Sequence, residues 1–218
     1  MEKKNKLKRS EKRIEREILK LLIFMAAIVV IFIIVNIAFR SLNEFNYQGL
    51  HFKKEKAGNL EVYHYYYFFK DATGKTIQYN LFLRNDPREN LIPIDGSAIL
   101  FNRHPLYITV KTAGLIDCSD NVLAIGDLAR FLGENGIKVK SGNMDFVEAA
   151  TASQEYVTCE NKPDNDVIQV VYGNETRIDV SGDCATITIG PKCDMLPAVE
   201  KFKIQSIIDK KKDDLAIR

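Results

Sequence analysis

The sequence predicts a mixed α/β (α+β) extracytoplasmic domain carried on one N-terminal transmembrane helix. Three observations support this prediction. Residues 21–39 are apolar without interruption except for Asn36. The rest of the 218-residue chain alternates strand-like and helix-like segments and is long enough to enclose a core of its own. All four cysteines follow the apolar stretch, a distribution typical of domains that fold in an oxidising compartment.

The apolar stretch has the length of a membrane-spanning helix, since ~1.5 Å per residue carries it across roughly 30 Å of hydrocarbon. A buried helix of a soluble protein would usually keep a polar face. The preceding tail holds nine Lys or Arg, so the positive-inside rule predicts a cytoplasmic N-terminus. The lack of a small-x-small cleavage site before Arg40 favours an uncleaved signal anchor over a signal peptide.

This interpretation places the protein in the cell membrane as a single-pass chain with its main domain outside. It divides the chain into a basic cytoplasmic tail (1–20), a transmembrane helix (21–39), a linker (40–59), an extracytoplasmic domain (60–210) and a C-terminal tail (211–218).

The domain opens with the clearest strand signal of the chain. An aromatic run covers residues 62–69, and residues 77–83 alternate between apolar and polar types, with Phe82 breaking the polar face. Between them, Gly74 suits the positive φ of a tight turn. We therefore predict a long β-hairpin.

The aromatic run has two interpretations. In one, its rings pack across the strands and against a core. In the other, one face of the strand presents tyrosines to a partner, and the charged turn after the hairpin adds polar contacts. The candidate binding surface of the second interpretation is Tyr63, Tyr65, Tyr67, Arg84, Asp86 and Arg88.

The middle of the chain predicts a βαβ-like unit. Ile125, Leu128, Ala129 and Leu132 recur at helical spacing, and Ser119 or Asp120 can cap the helix that they define. The predicted elements are strands at 98–101 and 106–111, a helix at 119–133, a strand at 137–140, a helix at 144–152 and a strand at 156–159.

The C-terminal third predicts a β-meander followed by a helix. Three strand-like runs, 167–172, 176–180 and 185–189, are separated by turn residues. A final helix with a broad apolar band is predicted over 198–210.

Four cysteines in an oxidising space predict two disulfides, for which three connectivities exist. We expect Cys118–Cys159, because both residues end strands of one sheet, and Cys184–Cys193, because little chain separates them. A zinc site formed by the four thiolates is the alternative, although the chain has no C-x-x-C pair.

Asn174 begins the sequon Asn-Glu-Thr in a predicted turn. It is therefore a candidate glycosylation site in an organism that has the machinery.

The sequence offers little that indicates catalysis. His51, His64 and His104 are the only histidines, and none has a helix-spaced partner for a metal. The sequence contains no G-x-S-x-G, H-E-x-x-H or phosphate-binding glycine loop. We therefore predict neither a metal nor a cofactor, and we favour a protein without enzymatic activity over an enzyme.

The phrases LRNDPRENLIPI, YVTCEN, GNETRIDVSGDC and AVEKFKIQ, together with the layout of the chain, resemble uncharacterised archaeal single-span membrane proteins. This resemblance covers most of residues 60–208 and implies no activity.

Two classes of function follow. The first is a membrane-anchored binding or scaffolding module of the cell surface, with envelope proteins or surface glycans as partners. The second is a membrane-tethered hydrolase whose site forms only in the fold, in a cleft that holds His104 and two acids. Beyond the tail, acidic residues outnumber basic ones, which argues against a nucleic-acid partner.

Overall fold

A computed structural model describes residues 2–70, 73–98 and 105–216 and divides the chain into two units, Met1–Phe45 and Asn46–Arg218. The first unit is mostly helix α1 (Glu2–Asn43). The segment Arg16–Asn43 of this helix has a mean hydropathy of 3.2 over its most apolar window, none of which is buried. By length and composition this helix can cross a membrane. It includes the predicted span 21–39.

An antiparallel four-stranded sheet comes next, in the order β1-β2-β3-β4. Strands β3 and β4 form the predicted hairpin, in which Gly74 has a φ of 82°. The residues that the sequence indicated as a linker instead form β1, β2 and the end of α1. The strands are β1 (Glu44–Tyr47), β2 (Leu50–Ala57), β3 (Leu60–Lys70) and β4 (Thr76–Leu83).

Strands β1 and β2 have local causes. Gln48 and Gly49 both adopt positive φ, at 48° and 80°, and a two-residue loop of this kind joins strands as a type I′ turn. Leu50 and Phe52 then lie two apart and are fully buried, so they supply the core face of β2. The charged residues 53–56 obscure this alternation in the sequence.

A mixed six-stranded sheet forms the second layer of strands, in the order β5-β9-β10-β8-β6-β7. Strands β10, β8, β6 and β7 are mutually parallel, whereas β9 and β10 form an antiparallel hairpin. The strands are β5 (Ile94–Asp95), β6 (Leu106–Val110), β7 (Val139–Asn143), β8 (Val167–Tyr172), β9 (Arg177–Ser181) and β10 (Cys184–Ile189).

This topology confirms the βαβ unit and corrects the meander. Helix α2 (Asn121–Glu134) connects β6 to its parallel neighbour β7, as the sequence predicted. The predicted meander is wrong, because β8 pairs with β10 in parallel and does not contact β9 as its neighbour. Strand β8 reads VIQVVY with three of its residues buried, a composition that suits a central parallel strand.

Two other predicted strands, 98–101 and 156–159, are not regular strands of the described chain. Residues 99–101 of the first lie outside the described part of the chain, as do residues 71 and 72 of the hairpin turn. The predicted strand 156–159 is only an isolated bridge, Tyr156 to Asn143. It follows the short helix α3 (Phe146–Thr151), whose N-terminal amides donate to the side chain of Asp145.

Helix α4 (Met195–Ala216) is the centre of the domain. It packs beside α2 and on β9 and β10. On its other side, Lys211 lies over the ring of Tyr65 on β3. No residue between Met195 and Lys210 is exposed. The sequence predicted one apolar band, but a helix between two sheets is covered on all sides.

Three charged residues of α4 are buried as well: Glu200, Lys203 and Asp209. The carboxylate of Glu200 accepts from the backbone amides of Arg84 and Asn85, at 2.5 and 3.2 Å. Lys203 Nζ donates to Asp127 Oδ2 of α2 at 2.5 Å. The carboxylate of Asp209 accepts from the backbone amide of Ala98 at 2.9 Å. Each buried charge therefore has a specific partner, as burial requires.

All four cysteines form disulfides, but the predicted pairing is wrong. The bonds are Cys118–Cys193 and Cys159–Cys184. Cys118 and Cys193 both follow parallel strands, so they meet at the carboxyl edge of the sheet, whereas Cys159 and Cys184 meet at the opposite edge. Strand β10 has six residues and begins at Cys184, and its length of about 20 Å at ~3.3 Å per residue lies between Cys184 and the loop that carries Cys193. A zinc site of four thiolates is not formed.

Candidate binding surface

The outer face of the four-stranded sheet, which we define by His64, Tyr66 and Phe68 on β3 and Gln78, Asn80 and Phe82 on β4, is the candidate binding surface. These residues alternate with those that face the helices, since side chains of a strand point to opposite faces in turn. They pair directly across the two strands: His64 with Phe82, Tyr66 with Asn80 and Phe68 with Gln78.

Aromatic rings dominate this outer face. Tyr66, Phe68 and Phe82 are 55%, 60% and 50% exposed. The imidazole of His64 stacks on the ring of Phe82 with centroids 4.5 Å apart and planes inclined by 16°. The rings of Tyr66 and Phe68 meet edge to face at 6.0 Å. The rings of His64 and Tyr66 join these two pairs, with centroids 6.2 Å apart, so the rings form one connected row along the hairpin.

The tyrosines that the sequence singled out lie on the inner face. Tyr65 is only 7% exposed and contacts the ring of Phe52. Tyr63 and Tyr67 are half-buried. The hydroxyl of Tyr67 donates to Asn135 Oδ1 at 2.5 Å. Burial raises the pKa of the Tyr67 phenol. These three tyrosines therefore do not form an exposed row, because an aromatic run without polar alternation does not tell which face is covered. Their role in binding stays a prediction.

The sequence carried one signal for the exposed face. Phe82 stands among the polar residues of β4 and does not fit their alternation. Across the strand it pairs with His64, so an apolar residue on the polar side of β4 marks the face on which the exposed rings collect.

Polar groups lie beside the rings of the outer face. The side chain of Asn80 contacts His64 Nε2 at 3.1 Å and accepts from Gln78 Nε2 at 3.0 Å. Glu55 on β2 forms an ion pair with Lys53 at 3.0 Å and lies 3.5 Å from His64 Nδ1. The hydrogen bond from Lys53, aided by His64, holds the pKa of Glu55 below its usual value. The outer face thus combines flat rings with amide, imidazole and carboxylate groups.

The charged turn after β4 has a structural role. Arg88 pairs with Asp86 at 2.6 Å, and this hydrogen bond lowers the pKa of the Asp86 carboxyl. The backbone amide of Arg84 donates to Glu200 of the central helix. These contacts stabilise the turn that contains Arg84, Asp86 and Arg88 and attach it to α4. A role of this turn at the rim of a binding surface stays a prediction.

The sequon lies in the turn between β8 and β9. Asn174 is exposed, and Thr176 Oγ1 accepts from the backbone amide of Gly190 at 2.9 Å. Glycosylation at Asn174 stays a prediction.

The predicted hydrolase cleft depends on His104, which lies outside the described residues. Of the other histidines, His51 contacts Asn46 and His64 belongs to the outer face. Within the described part of the chain, no three His, Cys, Asp or Glu side chains group as metal ligands. The hydrolase alternative therefore stays a prediction that no observed contact favours.

Comparisons with protein-family models, with curated proteins and with solved structures found no match to this chain. The resemblance to archaeal single-span proteins therefore stays a prediction.

Proposed function

We propose that this protein is a membrane-anchored extracytoplasmic module that binds surface glycans through the outer face of its four-stranded sheet. Helix α1 supports the anchor, because it has the length and composition of a membrane span. The two disulfides support an oxidising, extracytoplasmic location for the domain. The basic tail 1–20 supports a cytoplasmic N-terminus.

The observation that carries the proposal is the exposed row of rings. Folded domains bury most of their large aromatic side chains, and a connected exposed set indicates a contact surface. The row lies on a regular sheet, so a partner meets an extended and rigid surface. Rigid aromatic side chains are those that most often dominate binding energy.

The polar groups beside the rings favour a saccharide partner. A sugar ring has an apolar C–H face that packs on an aromatic ring and hydroxyls around its edge that both donate and accept. The hydrogen bonds among Gln78, Asn80 and His64 use Gln78 Nε2 and Asn80 Oδ1, so Gln78 Oε1 can accept from a hydroxyl and Asn80 Nδ2 can donate to one. Glu55 adds an acceptor on the neighbouring strand. This mixture matches hydroxyl groups better than it matches an apolar protein surface.

A glycan array tests the proposal. The full-length protein in detergent is applied to an array of cell-surface polysaccharides and oligosaccharides, and the affinity for the best ligand is then measured for Tyr66→Ala and Phe68→Ala. Truncation of a ring at the centre of a binding surface typically weakens binding by on the order of 30-fold. We expect a loss of this size for both variants.

The matched control is Phe146→Ala, which removes a ring that is 69% exposed on another part of the domain. Its affinity should equal that of the wild type. Equal losses in all three variants would indicate a nonspecific effect. If no glycan binds but a co-purifying envelope protein is lost with Tyr66→Ala, the surface binds protein and the saccharide assignment is wrong.

A further inference from the structure

We propose that the unpaired edge of β4 binds β4 of a second copy of this chain, so that two four-stranded sheets join into one. Strand β4 is the last strand of its sheet, and among the described residues no strand pairs with its other edge. An unpaired sheet edge presents a row of backbone N–H and C=O groups, and another strand is the surface that satisfies them. The partner of this edge is therefore an extended backbone.

The other three sheet edges within the described chain are protected. Strand β1 has four residues and begins with Glu44, and β5 has two residues, one of which is Asp95. The last residue of β7, Asn143, donates its amide to the carbonyl of Glu155 and accepts from the amide of Val157, each at 2.9 Å. Short length, charge and coverage by a loop are devices by which proteins prevent pairing at an edge.

Strand β4 has none of these devices. Its eight residues, TIQYNLFL, include no charge and no proline, and five of its side chains are exposed. All eight residues pair one to one with β3, so no bulge turns the edge away. Within the described part of the chain, the backbone of β4 makes no hydrogen bond outside its ladder with β3; the next bond, to Glu200, is donated by Arg84 beyond the strand.

The strand is complementary to itself. When a two-fold axis relates two identical antiparallel strands, one residue lies opposite its own copy and the others pair symmetrically about it. With the axis at Tyr79, Gln78 of each copy lies opposite Asn80 of the other. The hydrogen bonds within one sheet use Gln78 Nε2 and Asn80 Oδ1. Gln78 Oε1 and Asn80 Nδ2 can therefore form two reciprocal hydrogen bonds across the axis.

A second copy fits this edge because its strand brings no charge conflict and closes the assembly. Since β4 is uncharged, no register of two β4 strands places like charges opposite each other within the strand. The opposite edge of the sheet is the short β1, which does not offer an equal partner for β4. The pairing is therefore isologous and stops at two copies, whereas pairing of different edges would continue into filaments.

The dimer doubles the candidate binding surface. A two-fold axis perpendicular to a sheet does not exchange its faces, so both outer faces lie on the same side of the joined sheet. The dimer thus presents two rows of exposed rings. This consequence rests on the proposed function, because two linked surfaces bind a repeating polysaccharide with higher avidity than one. The pairing of β4 itself does not depend on the ligand.

Sedimentation equilibrium of the full-length protein in density-matched detergent tests the pairing. We expect the wild type to dimerise. The double variant Gln78→Lys with Asn80→Lys should weaken dimerisation by on the order of tenfold, because like charges opposite each other across strands are destabilising. Gln78→Glu with Asn80→Glu should weaken it to a similar extent. Leu91→Lys with Val122→Lys is the matched control, since it adds the same charge at side chains that are 87% and 82% exposed elsewhere, and it should dimerise as the wild type does.

A mixture of the lysine and glutamate double variants separates a lost interface from a lost fold. One variant carries a fluorophore, so that its association with the other is followed selectively. Opposite charges then face each other across the axis, and the mixed dimer should regain at least the affinity of the wild type. A mixture that stays monomeric would overturn the inference.

Three other results would overturn it. The first is a wild type that is monomeric at every concentration. The second is a dimer that the lysine variant does not weaken, which would mean that the copies meet elsewhere. The third is a monomeric wild type from which the lysine variant releases a co-purifying protein; the edge then binds a strand of another protein. Because the measurement contains no glycan, its failure would leave the proposed glycan binding standing.

Discussion

The buried pair of Lys203 and Asp127 gives a sharp test of the packing between α4 and α2. The side chain of Lys203 is only 1% exposed, and its Nζ lies 5.7 Å from the centroid of the Phe131 ring. Asp127 has a second partner, Arg130, at 2.7 Å, whose side chain is 66% exposed. The two members of the pair are therefore unequal, because Asp127 keeps a cation if Lys203 is removed.

This asymmetry sets the expected magnitudes. Asp127→Asn leaves the Lys203 ammonium buried with an aromatic ring and the more distant Glu200, and loss of one partner of a buried ion pair costs about 3–5 kcal/mol. Lys203→Met keeps the apolar stem and leaves Asp127 paired with Arg130, so we expect about 1–2 kcal/mol. The double variant should cost less than Asp127→Asn alone, with a coupling energy of about 2–3 kcal/mol.

Tyrosine circular dichroism in the near ultraviolet measures these free energies selectively. The chain has no tryptophan, and all nine tyrosines follow α1, so the signal reports the second unit while the apolar helix stays in detergent. Guanidinium titrations of the full-length variants then give the free energies of unfolding. Arg130→Met is the control and should cost less than about 1 kcal/mol, because its ion pair is exposed.

Two results would refute the reasoning. The first is a cost for Asp127→Asn that is no larger than that for Lys203→Met, which would mean that Lys203 reaches water or another anion. The second is a double variant that costs the sum of the two single ones, which would mean that the side chains do not interact.

Further predictions concern the disulfides, a buried carboxyl and the topology. Non-reducing peptide maps should contain Cys118 linked to Cys193 and Cys159 linked to Cys184; replacing either pair by serine should cost about 2–5 kcal/mol, and any other linkage would contradict the topology of the sheet. Burial raises the pKa of Glu200 above its ordinary 4.5, so the folded state holds this proton more tightly than the unfolded chain. The free energy of unfolding of the wild type should therefore fall relative to Glu200→Gln as the pH rises from below 4.5 through the raised pKa, and a constant difference would contradict this assignment. Protease added to intact cells should digest the second unit and leave a fragment that contains the tail, whereas survival of the full-length chain would refute the proposed orientation.

Much of the fold could be predicted from local patterns. The alternation over 77–83 and the turn at Gly74 identified the hairpin, and helical spacing around Leu128 identified α2 between two parallel strands. These elements are set by residues close in sequence, where side-chain period and turn chemistry act directly.

What could not be predicted depends on contacts between distant residues. Whether Tyr65 or Tyr66 faces the core is decided by the helices that cover one side of the sheet, and both faces of β3 carry rings. The cysteine pairing depends on strand direction. Strands β8 and β10 run parallel, and β9, the hairpin partner of β10, lies on the side of β10 away from β8.

The position of α4 has a consequence for biosynthesis. The helix that fills the middle of the domain follows every strand of both sheets in the chain, so neither sheet can bury its inner face until α4 has been translated. The aromatic hairpin must therefore remain exposed during synthesis, when unpaired apolar strands are prone to aggregate. A chain that ends before residue 195 should therefore fail to fold. We expect it to be bound by chaperones and degraded by quality-control proteases, and not to form a shorter folded domain. Closure of the domain thus depends on contacts between residues far apart in the sequence, and non-local closure of this kind favours slow folding.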